Sequence, residues 1–151
     1  MGRNTYALAA AAAAIGLVAS ACGHSSNPAS TPTSTATAAQ LQSLIPTPAN
    51  TQRTDGPTSI ADNGIHLHFL VNGGGNDVLG AYKTALEGKG WTVTVITSGG
   101  WGPSGGATYT GTQGTTYGVF GGGGNGSTTD VSACAWPAKP ADPNCGGSTH
   151  Q

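Results

Sequence analysis

The stretch that decides the fold runs from Gly64 to Thr97 and reads G-IHLHFLVNGGG-NDVLGAYKTALEGKGW-TVTVIT. Apolar side chains stand at every second position from Ile65 to Val71, which is the period-2 pattern of a strand with one buried face. The glycines at 73–75 then break the strand, because glycine tolerates the positive φ of a sharp turn. The stretch therefore begins as a strand and a turn.

A helix and a second strand follow this turn. Apolar residues recur at helical spacing from Val78 to Leu86 and give one apolar stripe. Asn76 or Asp77 is expected to cap the start of the helix, and the glycines at 88 and 90 are expected to end it. Trp91, Val93 and Val95 then alternate with threonines, which favours a strand.

The second half of the chain is rich in glycine, with 13 glycines among residues 99–126. Two β-type runs, 107–112 and 116–120, are joined by three residues that include Gly114, which predicts a hairpin. A last strand is predicted over 128–136, and the segments 99–106 and 121–126 are expected to be loops. The fold class is α+β: a β-α-β-β-β domain over 50–147, with one helix packed on a mostly antiparallel sheet, and a tail at 148–151.

The first 21 residues have the features of an export signal. Arg3 precedes an apolar run over 7–18 and then Ala-Ser-Ala at 19–21, a small-residue cleavage site. A transmembrane helix is the poorer interpretation, since a span needs about 20 apolar residues. Cys22 follows directly, and Ala-Ser-Ala-Cys resembles a bacterial lipobox. We therefore expect a lipid, such as palmitate, on Cys22 and a domain held on the extracytoplasmic face of the cell membrane.

The chain contains three cysteines. If Cys22 carries a lipid, Cys134 and Cys145 remain as an even pair in an oxidising compartment, which predicts a disulfide. A redox or zinc pair is the alternative, but the two cysteines lack CxxC spacing and enough other ligands.

Residues 22–49 form the predicted tether between anchor and domain. The segment is rich in Ser, Thr, Pro and Ala and contains no charged residue, so it is expected to be disordered. Leu41, Leu44 and Ile45 form its one apolar cluster. Two interpretations of this cluster stay open, docking on the domain or a transient helical turn.

Charge and motifs exclude some functions and leave others open. Charged residues make up only 7% of the chain and form no cluster, so a nucleic-acid partner is not expected. Gly102 to Gly106 match the pattern GxSxG, yet Ser104 could be a nucleophile only on a strand-turn-helix, and strand-like sequence follows it. We expect no enzymatic activity and no cofactor.

His66 and His68 lie on one strand face and are weak candidate metal ligands, because two ligands are too few for a tight site.

Aromatic residues beside the glycine loops are candidates for a ligand surface that binds a sugar or lipid. They are Trp101, Tyr109, Tyr117 and Phe120.

Seven segments of the chain resemble a group of small mycobacterial cell-envelope lipoproteins of uncharacterised function. They are ASAC at 19–22, IPTPANTQRTDGP at 45–57, IADNGIHLHFLVNG at 60–73, YKTALEGKGWTV at 82–93, GGATYTGT at 105–112, YGVFGGG at 117–123 and ACAWPAKPADPNC at 133–145. The resemblance implies an envelope location and brings no catalytic residue with it.

The expected function is therefore a lipid-anchored, non-enzymatic binding or interaction module with an envelope protein, glycan or lipid as partner. A carrier or sensor of a small ligand (lipid, glycan or metal) is the alternative, and a small secreted hydrolase is a more distant one.

Overall fold

A computed structural model of the protein describes residues 35–145. The predicted signal segment, Cys22, the predicted tether up to residue 34 and the predicted tail at 148–151 lie outside this range. The described chain forms two α-helices and six strands, with a single 3-10 turn at Gly102–Ser104 between the third and fourth strands. In chain order they are α1 (Ala38–Leu44), β1 (Thr51–Ile60), β2 (Gly64–Asn72), α2 (Gly75–Gly88), β3 (Thr92–Gly99), β4 (Gly106–Gln113), β5 (Thr116–Asn125) and β6 (Thr128–Trp136).

All six strands belong to one antiparallel sheet in the order β1-β2-β6-β5-β4-β3, and α2 packs on one face of it. The predicted class, a helix on a mostly antiparallel sheet, is confirmed. The predicted β-α-β-β-β order is one strand short, since the observed order from β2 onward is β2-α2-β3-β4-β5-β6. It also omits β1, which precedes this unit.

The main core lies between α2 and the sheet. The alternation predicted for β2 is present, because the side chains from Ile65 to Val71 are buried at every second position. The apolar stripe of α2 meets them, and the ring of Tyr82 lies 6.4 Å from that of Phe69 and 6.3 Å from that of Phe120. A second, smaller cluster around Trp136 contains Tyr117 and Cys134. Strand alternation places this second cluster on the opposite face of the sheet, which we call the helix-free face.

The start of α2 differs from the prediction. The N-cap residue is Gly74, and neither Asn76 nor Asp77 caps the helix. The helix begins at Gly75, where its first turn lies against the backbone of the loop before β4. At the other end the prediction holds, since Gly90 follows the helix with a φ of +103°.

Helix α1 corrects the prediction of a disordered tether over 22–49 for its described part, residues 35–49. Leu41 and Ile45 are buried in the main core, and the indole nitrogen of Trp91 donates a hydrogen bond to the Leu44 carbonyl at 2.8 Å. Thr37 adds a capping box with Gln40 at the start of the helix. Of the two interpretations left open for this apolar cluster, docking on the domain is the one observed.

Strand β1 was not predicted, and its sequence explains why. The run TQRTDGPTSI from Thr51 to Ile60 has no apolar alternation, and its residues are exposed or partly exposed. The strand forms because its backbone pairs with β2 along an edge of the sheet, where no side-chain face has to be buried.

Glycines in β5 also behave differently from the prediction. The segment 121–125 continues β5 and is not a loop. Gly75 of α2, Gly105 and Gly124 of β5 meet backbone to backbone in what we call the three-glycine contact. Gly124 N–H donates to the Gly105 carbonyl at 3.0 Å, and a Cβ on Gly75 or Gly124 would overlap a carbonyl oxygen of the loop before β4. Only glycine allows this approach.

Cys134 and Cys145 are joined in a disulfide, as cysteine parity predicts. The disulfide closes the segment 137–144, which forms neither helix nor strand, over the helix-free face.

Candidate interaction site

Strand β3 is an unpaired edge of the sheet. Its inner side pairs with β4, and within residues 35–145 no strand pairs with its outer side. The edge strand is eight residues long and reads TVTVITSG, without charge and without proline. An edge of this kind presents a row of free N–H and C=O groups to any extended chain that can pair with it.

Apolar side chains are exposed along the same edge. Val95 is 46% exposed and Ile96 is 56% exposed, and Trp101, two residues beyond the end of the strand, is 95% exposed. The register steps from Val95 to Thr97 at a bulge, which leaves Ile96 without a direct partner on β4. We refer to β3 together with Trp101 as the β3 edge.

The opposite edge of the sheet is blunted in the ways that edge strands usually are. Strand β1 contains the charged residues Arg53 and Asp55, and Pro57, which cannot donate a backbone hydrogen bond. Its register with β2 shifts twice. Charges, proline and bulges are the devices that keep edge strands from pairing. The β3 edge has a bulge but neither of the other two.

The loop that presents Trp101 is held at several points. Gly100 has a φ of +101° and starts the loop, and the Asn76 side chain lies 3.4 Å from the Gly100 carbonyl. Ser104 N–H donates to the Trp101 carbonyl at 3.3 Å, which closes the 3-10 turn. The three-glycine contact fixes the end of the loop at Gly105. Trp101 therefore projects from an anchored loop.

The structure separates the four aromatic residues predicted to form a ligand surface. Tyr109 and Phe120 are buried in the main core and Tyr117 in the second cluster, so these three rings do not line a surface. The Tyr109 hydroxyl donates to the Leu79 carbonyl at 3.2 Å, which ties β4 to α2. Only Trp101 of the four is exposed. Closeness to glycine in the sequence does not distinguish an aromatic side chain that is buried from one that is exposed.

The helix-free face contains both histidines that were considered as metal ligands, in different surroundings. His68 lies between two carboxylates, with Nε2 3.1 Å from Asp130 and Nδ1 3.4 Å from Asp55. Arg53 donates to Asp55 at 2.8 Å, and this bond, together with His68, holds the pKa of Asp55 below its ordinary value. His66 lies beside the disulfide, where burial and then the nearby His68 lower its pKa.

The sequence gives no sign that Asp55 and Asp130 are neighbours of His68. They stand 13 and 62 residues away along the chain, and only the pairing of β1, β2 and β6 brings them together.

A groove of about 270 Å³ lies on the helix-free face under the disulfide-closed segment. Its floor is formed by strands β4, β5 and β6, with Thr108 and Ser132 as polar groups, and its wall includes Asn144 and Cys145. Its volume is just below the range of roughly 300–1,000 Å³ that is typical of small-molecule pockets.

Ser104 does not have the surroundings of a hydrolase nucleophile. It ends the 3-10 turn and is followed by β4, so the strand-turn-helix that would give the GxSxG pattern its meaning is not formed there. The GxSxG match arises because the segment between β3 and β4, which contains Trp101 and which we call the Trp101 loop, is rich in glycine.

Cys22, the predicted lipidation site, lies outside the described residues. Among the described residues, no helix is both long enough and apolar enough to cross a membrane. Comparison with known proteins gives no match to a family model, to a curated protein or to a solved structure. The resemblance to mycobacterial lipoproteins therefore stays a prediction.

Proposed function

We propose that the protein is a lipid-anchored, non-enzymatic interaction module of the cell envelope, attached through Cys22 and docking to a partner protein through the β3 edge. The observation that carries the proposal is the combination on one edge of a free strand with three exposed apolar side chains, Val95, Ile96 and Trp101. The partner supplies an extended segment that adds a strand outside β3.

The two parts of the edge have different roles in this docking. Main-chain hydrogen bonds to the uncharged strand give affinity with little dependence on sequence, while contacts with Val95 and Ile96 select the partner's side chains. Trp101 is the anchor. A tryptophan buries about 200 Å² on binding, and at about 25 cal/mol per Å² its burial contributes on the order of 5 kcal/mol before ordering costs. Tryptophan is also among the residues that most often dominate protein interfaces.

The predicted export signal, together with a lipid on Cys22, would bring this edge to a location where it meets envelope proteins. A lipid on Cys22 would hold the domain at the membrane surface. The intact mass of the protein from native membranes tests this part separately. A chain that starts at Cys22 with diacylglyceryl and acyl groups supports the anchor, and an unmodified Cys22 contradicts it.

Site-specific photo-crosslinking in native membranes tests the docking. The photoreactive amino acid p-benzoylphenylalanine is placed at Ile96 on the β3 edge, and at Thr58 on the blunted β1 edge as the matched control. We expect a discrete protein adduct at 96 only, which Trp101→Ser removes. Adducts of equal yield at both positions, or adducts to lipid or glycan alone at position 96, would overturn the proposal. An adduct of twice the chain mass would identify the partner as a second copy.

The groove under the disulfide-closed segment favours a second candidate function, carriage of a small polar ligand such as a sugar ring. Thr108, Ser132 and Asn144 supply hydroxyl and amide groups that could bind its hydroxyls. Ligand-observed NMR with a panel of monosaccharides tests this function. Binding that Ser132→Val abolishes supports it, and binding that survives this substitution, or no binding, contradicts it.

A further inference from the structure

Three groups that can ligate a metal meet on the helix-free face. They are His66 of β2, Cys134 of β6 and Cys145, and one ligand atom from each lies within 4.8 Å of the other two. His66 and Cys134 stand directly opposite each other in the antiparallel register, and the disulfide brings Cys145 to the same place. The cluster is independent of the β3 edge, which lies at the far side of the sheet.

One ring nitrogen of His66 has no hydrogen-bond partner among the described residues. This nitrogen, Nε2, is buried. Buried polar atoms usually have a partner, so an unpartnered one calls for an explanation. The neighbouring His68 differs, since both of its ring nitrogens face carboxylates.

In the oxidised protein the sulfurs are bonded to each other and cannot act as thiolate ligands. We propose that reduction of the Cys134–Cys145 disulfide converts this cluster into a binding site for a borderline-soft divalent metal ion of the zinc class, with His66, Cys134 and Cys145 as its ligands. Two thiolates and one imidazole are a common ligand set for zinc, and a fourth position remains for water or an external ligand.

The reaction balances with a dithiol as reductant. A thiolate of the dithiol attacks one sulfur of the disulfide and forms a mixed disulfide. The second thiol of the reductant then attacks this mixed disulfide and releases the protein with both cysteines as free thiols. The dithiol becomes a disulfide, and two electrons and two protons pass to Cys134 and Cys145. The metal ion displaces the two thiol protons when it binds.

The geometry needs only a small movement. Ligand atoms of a tetrahedral zinc site stand about 3.5–3.8 Å apart, as follows from bond lengths of about 2.3 Å to sulfur and 2.0 Å to nitrogen. Once the S–S bond is broken, the two sulfurs must move apart to that spacing, and the imidazole nitrogen, which lies at most 4.8 Å from each sulfur, must approach by up to about 1 Å. Cys134 is fixed in β6, whereas Cys145 lies in a segment outside the strands and can supply most of this movement.

The sequence alone disfavours a zinc site, because the two cysteines lack CxxC spacing and enough other ligands. The fold supplies the third ligand from a strand that lies 68 residues before Cys134 in the chain.

Cobalt titration of the full mature chain, reduced with a phosphine, tests the proposal. Co²⁺ bound by thiolates in a tetrahedral site gives a sulfur-to-metal charge-transfer band and intense visible bands, and Zn²⁺ should displace it. We expect the reduced wild type to bind one Co²⁺ and the oxidised protein to give no such bands. His66→Gln should weaken binding at least about tenfold. The matched control, His68→Gln, removes a histidine of the same strand and face and should leave the affinity unchanged.

A second measurement covers the case in which reduction loosens the fold. Zn²⁺ should raise the thermal midpoint of the reduced wild type and of His68→Gln, but not that of His66→Gln. The proposal is overturned if the reduced protein does not bind Co²⁺, folded or not. It is also overturned if the oxidised protein binds it equally well, or if His66→Gln binds as tightly as the wild type.

Discussion

Replacing Gly124 with alanine tests the three-glycine contact most directly. A Cβ at this position would overlap the Pro103 carbonyl oxygen and would stand 2.7 Å from the Gly75 nitrogen. Both are backbone atoms, so no side-chain rotation can relieve the clash, and either the Trp101 loop or the start of α2 must move. Overpacking of this kind costs about 1–3 kcal/mol. For a domain of this size we expect the thermal midpoint to fall by roughly 5–15 °C.

The adjacent Gly123 is the matched control. Its added Cβ would meet none of the described atoms within 4 Å, and its φ is not in the left-handed region. Gly123→Ala should therefore be neutral or stabilise the protein by about 0.4–1 kcal/mol, because alanine restricts the unfolded chain. Urea and thermal unfolding of both variants, followed by far-ultraviolet circular dichroism, give the comparison. If the two variants prove equally stable, the backbone of β5 does not approach the loop as closely as described.

Three further substitutions test other parts of the fold. Leu41→Ala removes a fully buried side chain of α1 and should lower the unfolding free energy by about 2–4 kcal/mol, and an unchanged urea midpoint would show that α1 is not docked in solution. Arg53→Gln should raise the pKa of Asp55 towards its ordinary value of 3.8, measured by carboxyl NMR titration, because the Arg53 hydrogen bond is the largest cause holding it down. The pKa of Asp55 is lower in the folded than in the unfolded state. The ionised carboxylate therefore stabilises the fold above pH 3.8, and this stabilisation is lost as the pH falls through the folded-state pKa. The Arg53→Gln variant should lose less stability in acid than the wild type. Replacing Cys134 and Cys145 together by alanine should cost roughly 3 kcal/mol of loop-closure entropy, and an unchanged midpoint would contradict this.

Sequence patterns predicted β2 and α2 because each of them buries one face, whereas β3 was predicted from its β-branched residues although its side chains are mostly exposed. The alternation from Ile65 to Val71 and the helical stripe from Val78 to Leu86 both record contact with a core, and both elements form where predicted. Strand β1 has no such face and was missed. Helix α1 buries Leu41 within a sequence otherwise typical of a tether, so average composition concealed it. A periodic apolar pattern in the sequence indicates a face that is buried. Strand β1, which forms through backbone pairing, and helix α1, which buries Leu41 alone among its residues, therefore show little of such a pattern.

The candidate sites depended on strand order, which the sequence does not contain. The run TVTVIT predicts a strand, but only the order β1-β2-β6-β5-β4-β3 shows that this strand is an edge with Val95 and Ile96 exposed. The same holds for His66, whose closeness to Cys134 follows from the pairing of β2 with β6. The disulfide was predictable because counting cysteines needs no knowledge of the fold.

The unequal edges of the sheet also set the valency of the molecule. A sheet with two receptive edges can add units at both ends, and repeated addition gives fibres. Here the β1 edge carries Arg53, Asp55 and Pro57, so growth is possible at β3 alone. One added strand, whether from a partner or from the β3 of a second copy, consumes the only receptive edge of the described sheet. Association through this edge alone would therefore end at a closed pair.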